Sequence, residues 1–274
     1  MVRANARRDE AVQVGLILIV LAVMMVPIIW IGAAAFKRSV DVFQLKLWFE
    51  PTLTNFFDIT RAPYRIQDKF LNSTIVASVT VLIAIPLATM ASYGFSRFRL
   101  RGEKLMFVVI LGSQFLPAVV IVLPFFIMFR DLGLLDSRLG LIIVDLALVM
   151  PFAIWMIKGF IDGIPIEIEE AAMIDGAGRA EVIRRVILPL AAPGIVTAGI
   201  FCFIIAWNEF LFALILTTNN AVTLPVGLAL FKAEEGELWH YIAAAGIIIM
   251  VPMWVLALII QKHFVQGMTM GAVK

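Results

Sequence analysis

Charged side chains are scarce in this sequence. Asp, Glu, Lys and Arg make up 15% of the 274 residues, whereas 62% are hydrophobic. Soluble domains use about a quarter charged residues and about half apolar ones, so the composition argues against a soluble globular protein. The formal net charge of +2 is spread along the chain and forms no basic face with interleaved aromatic residues, which leaves no basis for nucleic-acid binding.

Residues that carry nucleophilic or metal chemistry are few as well. The sequence has one cysteine, Cys202, and two histidines, His240 and His263. A lone cysteine forms no intrachain disulfide, and neither histidine lies near it in sequence, so no catalytic constellation is visible. The sequence also lacks a Gly-rich loop ending in Lys-Ser/Thr, the loop that cradles the phosphates of ATP. These absences argue against an enzyme and against ATP hydrolysis by this chain.

Long apolar runs are what the sequence has in abundance. We predict six transmembrane helices, at residues 12–36, 70–95, 105–129, 139–160, 194–216 and 241–262. Each approaches or exceeds the roughly 20 residues that a helix needs to cross a bilayer core. The first run is too long for a signal-peptide core and no small-residue cleavage site follows it, so we expect it to be retained. The predicted fold class is an all-α integral membrane protein with one domain over residues 1–274.

The positions of Lys and Arg predict the orientation. If the N-terminus is cytoplasmic, the inner side collects more of these residues than the outer side, including the cluster Arg97, Arg99, Arg101 and Lys104 in one short loop. Positive residues favour the cytoplasmic side of a membrane protein. We therefore expect both termini to be cytoplasmic, and with them the segment at residues 162–192 between the fourth and fifth helices.

This cytoplasmic segment has the start and stop signals of a helix-turn-helix. Pro165 suits the first turn of a helix, and Gly176 supplies the left-handed conformation that ends one. A second short helix is expected at residues 179–188. Pro189 and Pro193 should then break the chain before the fifth transmembrane helix.

The first of these short helices carries two small residues, Ala171 and Ala172, beside Glu170. Small side chains allow another protein to approach the backbone closely, and a carboxylate offers a directional partner for an arginine. A docking surface is one interpretation. An amphipathic connector resting on lipid headgroups is the other, and the residues by themselves leave both open.

A resemblance favours the docking surface. Glu-Ala-Ala, three residues, Gly, nine residues, an aliphatic residue, one residue and Leu-Pro is similar to the cytoplasmic signature of the permease subunits of binding-protein-dependent ATP-binding cassette importers. The positions are Glu170, Ala171, Ala172, Gly176, Val186, Leu188 and Pro189. Val186 stands where the family commonly has Ile. Residues 174–177, 206–210 and 264–274 resemble the carbohydrate-importing branch, and the chain looks like its shorter, maltose-type G-like permease.

The resemblance implies a type I importer permease fold and a division of labour among subunits. It implies that this chain couples to a separate ATPase through Glu170, Ala171, Ala172, Asp175, Gly176, Leu188 and Pro189. The implied partners are a homologous second permease, two copies of the ATPase subunit and an extracytoplasmic solute-binding protein, assembled in the cytoplasmic membrane of a bacterium or archaeon. This chain is expected to bind no cofactor, because ATP and Mg belong to the ATPase subunits.

The transport path is less legible. Polar residues are costly inside a membrane and often functional, which makes candidates of Asn72, Gln114, Trp207, Asn208 and Glu209. Asn and Gln also commonly bond a neighbouring helix, and a Trp in a packed helix is more often part of the core. Asn219 and Asn220 begin an outer loop that resembles the region reaching into the binding protein in maltose-type systems.

Two buried acids support an alternative function. Asp145 lies in the fourth predicted helix and Glu209 in the fifth, and at about 1.5 Å of rise per residue each is roughly 10 Å below the outer end of its helix, which is compatible with a shared level. One interpretation is a buried acid pair that binds a proton or sodium ion in an ion-coupled secondary transporter. The other is a pair of interior polar groups that satisfy the backbone or neighbouring helices in a partly wet path. Which sugar, polyol or sugar derivative an importer would carry is not readable from these residues.

Overall fold

The computed structural model describes residues 2–98, 101–233 and 236–271, with side chains described over 12–98, 101–231 and 238–258. Most of these residues are helical. The helices are α1 (Val2–Ala35), α2 (Ser39–Phe43), α3 (Thr54–Asp58), α4 (Ile66–Arg97), α5 (Glu103–Gly112), α6 (Ala118–Asp131), α7 (Arg138–Asp162), α8 (Ile166–Ile174), α9 (Arg179–Val182), α10 (Leu188–Trp207), α11 (Leu211–Leu216), α12 (Leu224–Ala229) and α13 (Trp239–Gly271). A 3₁₀ turn (Ser113–Phe115), a π-helical turn (Ile183–Ile187) and a two-residue antiparallel strand pair, β1 (Lys232–Ala233) and β2 (Gly236–Glu237), complete the fold.

The chain divides into two compact units. The first comprises Met1–Ile66 and Leu228–Val251, and the second comprises Gln67–Gly227 and Pro252–Lys274. In the first unit the buried amide of Asn55 donates to the carbonyls of Ala35 and Lys37, both at 2.8 Å, and so holds α3 against the end of α1. The second unit contains the helices that frame the predicted cytoplasmic segment.

Five helices of the described residues are long and apolar enough to cross a membrane: Val12–Ala35, Ile66–Arg97, Arg138–Asp162, Arg179–Trp207 and Trp239–Leu258. They correspond to all but the third of the predicted spans. The third is a bent pair, Glu103–Phe115 and Ala118–Asp131, whose axes differ by 96°. Counted as one span, this pair brings the total to six, and the exact number of transmembrane helices stays a prediction.

The bend corrects the expectation of one straight helix at residues 105–129, and Pro117 explains it. A proline disfavours the helical conformation of the residue before it. Leu116 accordingly has ψ of 120°, in the extended region, and Pro117 itself serves as the N-cap of α6. Apolar periodicity cannot register such a bend, because both halves are equally hydrophobic.

The expected break at Pro189 and Pro193 is wrong. The helix is continuous from Arg179 to Trp207, and a π-helical turn at Ile183–Ile187 directly precedes α10, whose second residue is Pro189. Proline lacks an N–H and its ring crowds the carbonyl four residues back, and the wider π turn leaves room at that point.

The fifth predicted span, 194–216, is in turn interrupted near its other end. α10 stops at Trp207, and α11 begins only at Leu211. The carboxylate of Glu209 lies in the gap and accepts hydrogen bonds from the backbone N–H groups of Phe212 at 2.8 Å and Ala213 at 2.9 Å. Glu209 therefore satisfies donors that the start of a helix leaves unpaired.

Small residues pack the core of the second unit. Ala84 and Ala88 of α4, Ala153 of α7 and Ala198 of α10 are completely buried in one cluster. Small side chains let membrane helices approach closely. The side chain of Ser92 on α4 also donates to the carbonyl of Ile154 on α7, at 2.8 Å.

The tight packing of Gly194 against the ring of Phe160 yields a stability prediction. A Cβ atom added to Gly194 would lie 2.1 Å from Cγ of Phe160, whereas one added to Gly199 would meet Ile85 at an ordinary 3.6 Å. We expect Gly194→Ala to destabilise the protein by about 1–3 kcal/mol through overpacking, and Gly199→Ala to be neutral or slightly stabilising because Ala favours helix. Thermal unfolding in detergent micelles measures both, and equal midpoints for the two variants would contradict the prediction.

Candidate functional site

The predicted cytoplasmic helix is α8. Pro165 is its N-cap, with φ of −57° and ψ of 135°, one position before the first turn where it was expected. Glu167 and Glu169 lie in the first turn, where the positive end of the helix dipole favours negative charge. Proline outside the helix and acids inside it define this start.

The turn after α8 is as predicted. Gly176 has φ of +93°, a left-handed conformation that glycine adopts without steric cost. Its N–H donates to the carbonyl of Met173 at 3.1 Å, and the N–H of Ala177 donates to Ala172 at 3.0 Å. These two bonds form a Schellman motif, which satisfies the last carbonyls of the helix.

The structure brings five of the seven predicted coupling residues onto α8 and its turn. Glu170, Ala171, Asp175 and Gly176 are exposed, whereas Ala172 is half-buried and packs on the core. Leu188 and Pro189 lie apart from them, at the start of α10. Apolar side chains flank the exposed residues, including Ile174 with 86% of its surface exposed. α8 and its turn thus offer the exposed carboxylates of Glu167, Glu170 and Asp175 beside apolar and small side chains.

Sequence reasoning missed the acid on the opposite face of α8. Glu169 is only 2% exposed. Its carboxylate forms an ion pair with the guanidinium of Arg97 and accepts a 3.1 Å hydrogen bond from the hydroxyl of Tyr93. A signal was available, because adjacent helical residues are about 100° apart, so the side chains of Glu169 and Glu170 leave the helix in different directions.

Arg97 also holds the end of α7. Its Nη2 donates to the carbonyls of Ile161 at 3.1 Å and Ile164 at 2.9 Å. Carbonyls at a helix C-terminus lack intrahelical donors, and a cation there is favoured by the helix dipole. One side chain at the end of α4 thus reaches both α7 and α8.

Two of the predicted path residues are buried in the second unit. Asn72 is 2% exposed; its amide donates to the carbonyls of Asn220 and Val222, both at 2.9 Å, and its oxygen accepts from Nε of Arg138 at 2.8 Å. Trp207 is 1% exposed and packs against aromatic rings from α4 and α10. Within this chain both contribute to its packing.

The other path candidates are more accessible. Gln114, in the 3₁₀ turn at the bend, is exposed and donates to the carbonyl of Leu148 at 3.1 Å. Asn208 is exposed and donates to Ile204. Glu209 caps α11 and lies close enough to the buried Asp145 for the two acids to interact electrostatically.

The loop that carries Asn219 and Asn220 is held by one carboxylate. Asp136 accepts hydrogen bonds of 3.0–3.2 Å from the backbone N–H groups of four consecutive residues, Thr218, Asn219, Asn220 and Ala221. Burial by itself would raise the pKa of Asp136, but these bonds outweigh it and lower the pKa to about 2. The result is an exposed but braced loop, which neither periodicity nor composition could predict.

Comparison with known proteins gives the following matches. Residues 81–270 match the family described as binding-protein-dependent transport system inner membrane component. The chain is 33% identical, over 97% of its length and 99% of the other's, to the trehalose/maltose transport system permease protein MalG of Thermococcus litoralis. It is 37% identical, over 93% of this chain and 94% of the other, to the trehalose transport system permease protein SugB of Mycobacterium tuberculosis.

The fold is similar to a chain in the crystal structure of a bacterial ABC transporter involved in the import of the acidic polysaccharide alginate. The TM-score is 0.77, and the match covers 94% of this chain and 97% of that chain. At 24% sequence identity, this likeness concerns the fold.

The bracing of the 218–221 loop predicts a pH dependence. An unfolded aspartate has a pKa near 3.9 and folded Asp136 one of about 2, so the ionised carboxylate contributes its full stability above about pH 4 and loses it as the pH falls towards 2. Asp136→Asn should therefore lower the unfolding midpoint near neutral pH, with the difference shrinking below about pH 4. Thermal unfolding from pH 2 to 7 tests this, with the exposed Asp131→Asn as control. A difference that is independent of pH would contradict it.

Proposed function

The chain belongs to the family of binding-protein-dependent transport system inner membrane components, and we propose that it forms half of the translocation path of an ATP-driven importer for a sugar or sugar-derived solute. It is a multi-pass inner-membrane protein and a transport component. The carbohydrate class is supported by its similarity to the trehalose/maltose and trehalose transport system permeases. The observation that carries the coupling role is the exposed face of α8.

Coupling to the ATPase occurs through the segment at residues 162–192. The carboxylate of Glu170 meets an arginine of the ATPase surface, since charge-assisted hydrogen bonds of this kind are strong and directional. Ala171 lets that surface approach the backbone of α8. Asp175 and Gly176 shape the turn, and Leu188 and Pro189 lie at the start of α10, within the continuous helix that follows it, Arg179–Trp207.

The proposed assembly contains a homologous second permease, two copies of the ATPase subunit, which bind ATP and Mg, and a solute-binding protein on the outer side. Both termini of this chain are cytoplasmic. Asn219 and Asn220, on the loop braced by Asp136, contact the binding protein. Asn72, Gln114, Trp207, Asn208 and Glu209 stay proposals for the path, and the exposed Gln114 and Asn208 are the best placed to meet a solute.

The alternative is an ion-coupled transporter built on Asp145 and Glu209, and family membership favours the importer over it. Glu209 also has a structural use, because its carboxylate caps α11. In membrane vesicles, uptake by the importer should survive collapse of the ion gradients and stop on depletion of ATP. Uptake that stops when the ion gradients collapse and survives depletion of ATP would instead support ion-coupled transport through Asp145 and Glu209.

The docking surface can be tested by replacing each of two exposed alanines with arginine. Ala171→Arg places a long side chain on the exposed face of α8, whereas Ala229→Arg places the same side chain at an exposed position of α12. We expect Ala171→Arg to weaken association of the ATPase subunit at least tenfold, about 1.4 kcal/mol, and Ala229→Arg to leave it unchanged. Copurification and titration with the purified ATPase subunit measure this. Equal association for both variants would contradict docking at α8.

The turn can be tested with matched glycines. Gly176→Val forces a branched side chain into the left-handed region at a cost of about 1–2 kcal/mol, whereas Gly178, with φ of −72°, accepts valine without strain. The Gly176→Val protein should assemble but import less solute per ATP hydrolysed, and Gly178→Val should behave as the wild type. Normal transport by a correctly assembled Gly176→Val importer would refute the role of the turn.

A further inference from the structure

The inner face of α8 carries a buried charge that the docking role does not require. The carboxylate of Glu169 is enclosed by the guanidinium of Arg97 and the hydroxyl of Tyr93, and all three residues lie in the second unit. Burying an ionised carboxylate is costly unless it is both paired and hydrogen-bonded. The arrangement persists only while α8 stays in place against α4.

Arg97 turns this contact into a junction of three helices. It is the last residue of α4. Its Nε faces Glu169 of α8, and its Nη2 donates to the carbonyl of Ile161 in the last turn of α7 and to that of Ile164 just after α7. Arginine presents its donors in a rigid planar fork, so the three helix ends are fixed relative to one another. A lysine has a single ammonium and cannot reproduce this fork.

Glu169 and Glu170 give α8 two functional faces. Glu170 is exposed on the face proposed to meet the ATPase, while its neighbour is buried against α4. Moving α8 without α4 and α7 would separate Glu169 from Arg97, which is strongly unfavourable because it leaves buried charges uncompensated. A displacement applied to the outer face must therefore carry α4 and α7 with it.

We propose that Glu169 and Arg97, with Tyr93, are positioning residues that lock α8 to α4 and α7, so that movement imposed on α8 by the ATPase reaches two transmembrane helices as a rigid body. This inference rests on the proposed function. It assigns Glu169 to transmission within the permease and Glu170 to contact with the ATPase.

The test uses the complete purified importer, reconstituted in proteoliposomes together with its own binding protein. It measures three quantities. They are the association of the ATPase subunit, the basal rate of ATP hydrolysis, and the ratio by which the binding protein stimulates that rate. Stimulation must pass from the outer side through the permease helices to the ATPase. A broken junction should therefore abolish the stimulation and spare the association.

We expect Glu169→Gln and Arg97→Lys to retain the ATPase subunit and the basal rate and to lose the stimulation. Tyr93→Phe, which keeps the ion pair, should reduce it. The matched control is Glu50→Gln, which removes an exposed glutamate–arginine pair, Glu50 with Arg38, and should leave all three quantities unchanged. Full stimulation in both Glu169→Gln and Arg97→Lys would overturn the proposal.

Two further outcomes are decisive. If Glu169→Gln and Arg97→Lys fail to assemble, Tyr93→Phe decides: reduced stimulation supports the junction and full stimulation overturns it. Glu170→Gln tests the proposed function separately, because it should weaken association of the ATPase subunit. If Glu170→Gln binds the ATPase normally and cross-links from α8 never reach that subunit, docking at α8 fails, and the transmission role falls with it.

Discussion

A lipid solvent offers no hydrogen-bond partners to the backbone, and this constraint governs the structure. Helices satisfy it along their length, so the vulnerable points are the ends, breaks and loops at the membrane's edge. At four such points of the second unit a polar side chain supplies the missing bonds. These side chains are Arg97 on the carbonyls of Ile161 and Ile164, Glu209 on the start of α11, Asn72 on the carbonyls of residues 220 and 222, and Asp136 on the N–H groups of residues 218–221.

These residues change how polar groups in the apolar segments should be interpreted. Asn72 and Glu209 stand out in the sequence as candidates for the path, yet within this chain both bond its own backbone, and the side-chain oxygen of Asn72 also accepts from Arg138. An expensive polar residue signals a requirement, but the requirement can be structural. The acid pair is an example, since Glu209 has a cap to form as well as a neighbour in Asp145.

The two faces of α8 connect the fold to the proposed mechanism. A short helix of nine residues is marginal by itself, so its position must come from tertiary contacts. The Schellman turn at Gly176 fixes one end, and the junction at Arg97 fixes the inner face. What remains free is the outer face, with Glu170 and Ala171, where a partner can dock without disturbing the interior.

The sequence alone determined the membrane class, the location of the apolar segments, the left-handed turn at Gly176 and the family signature, because composition, hydropathy and backbone sterics are local properties. Tertiary structure alone decided which prolines interrupt a helix and which groups the charged side chains contact. Pro117 bends a span and Pro189 does not break one, since the neighbouring backbone either takes an extended conformation or widens into a π turn. Glu169 and Glu170 are identical in a composition or a hydropathy profile. Only the packing of α8 against Arg97, 72 residues away from Glu169 in the chain, makes one of them an internal partner and leaves the other exposed.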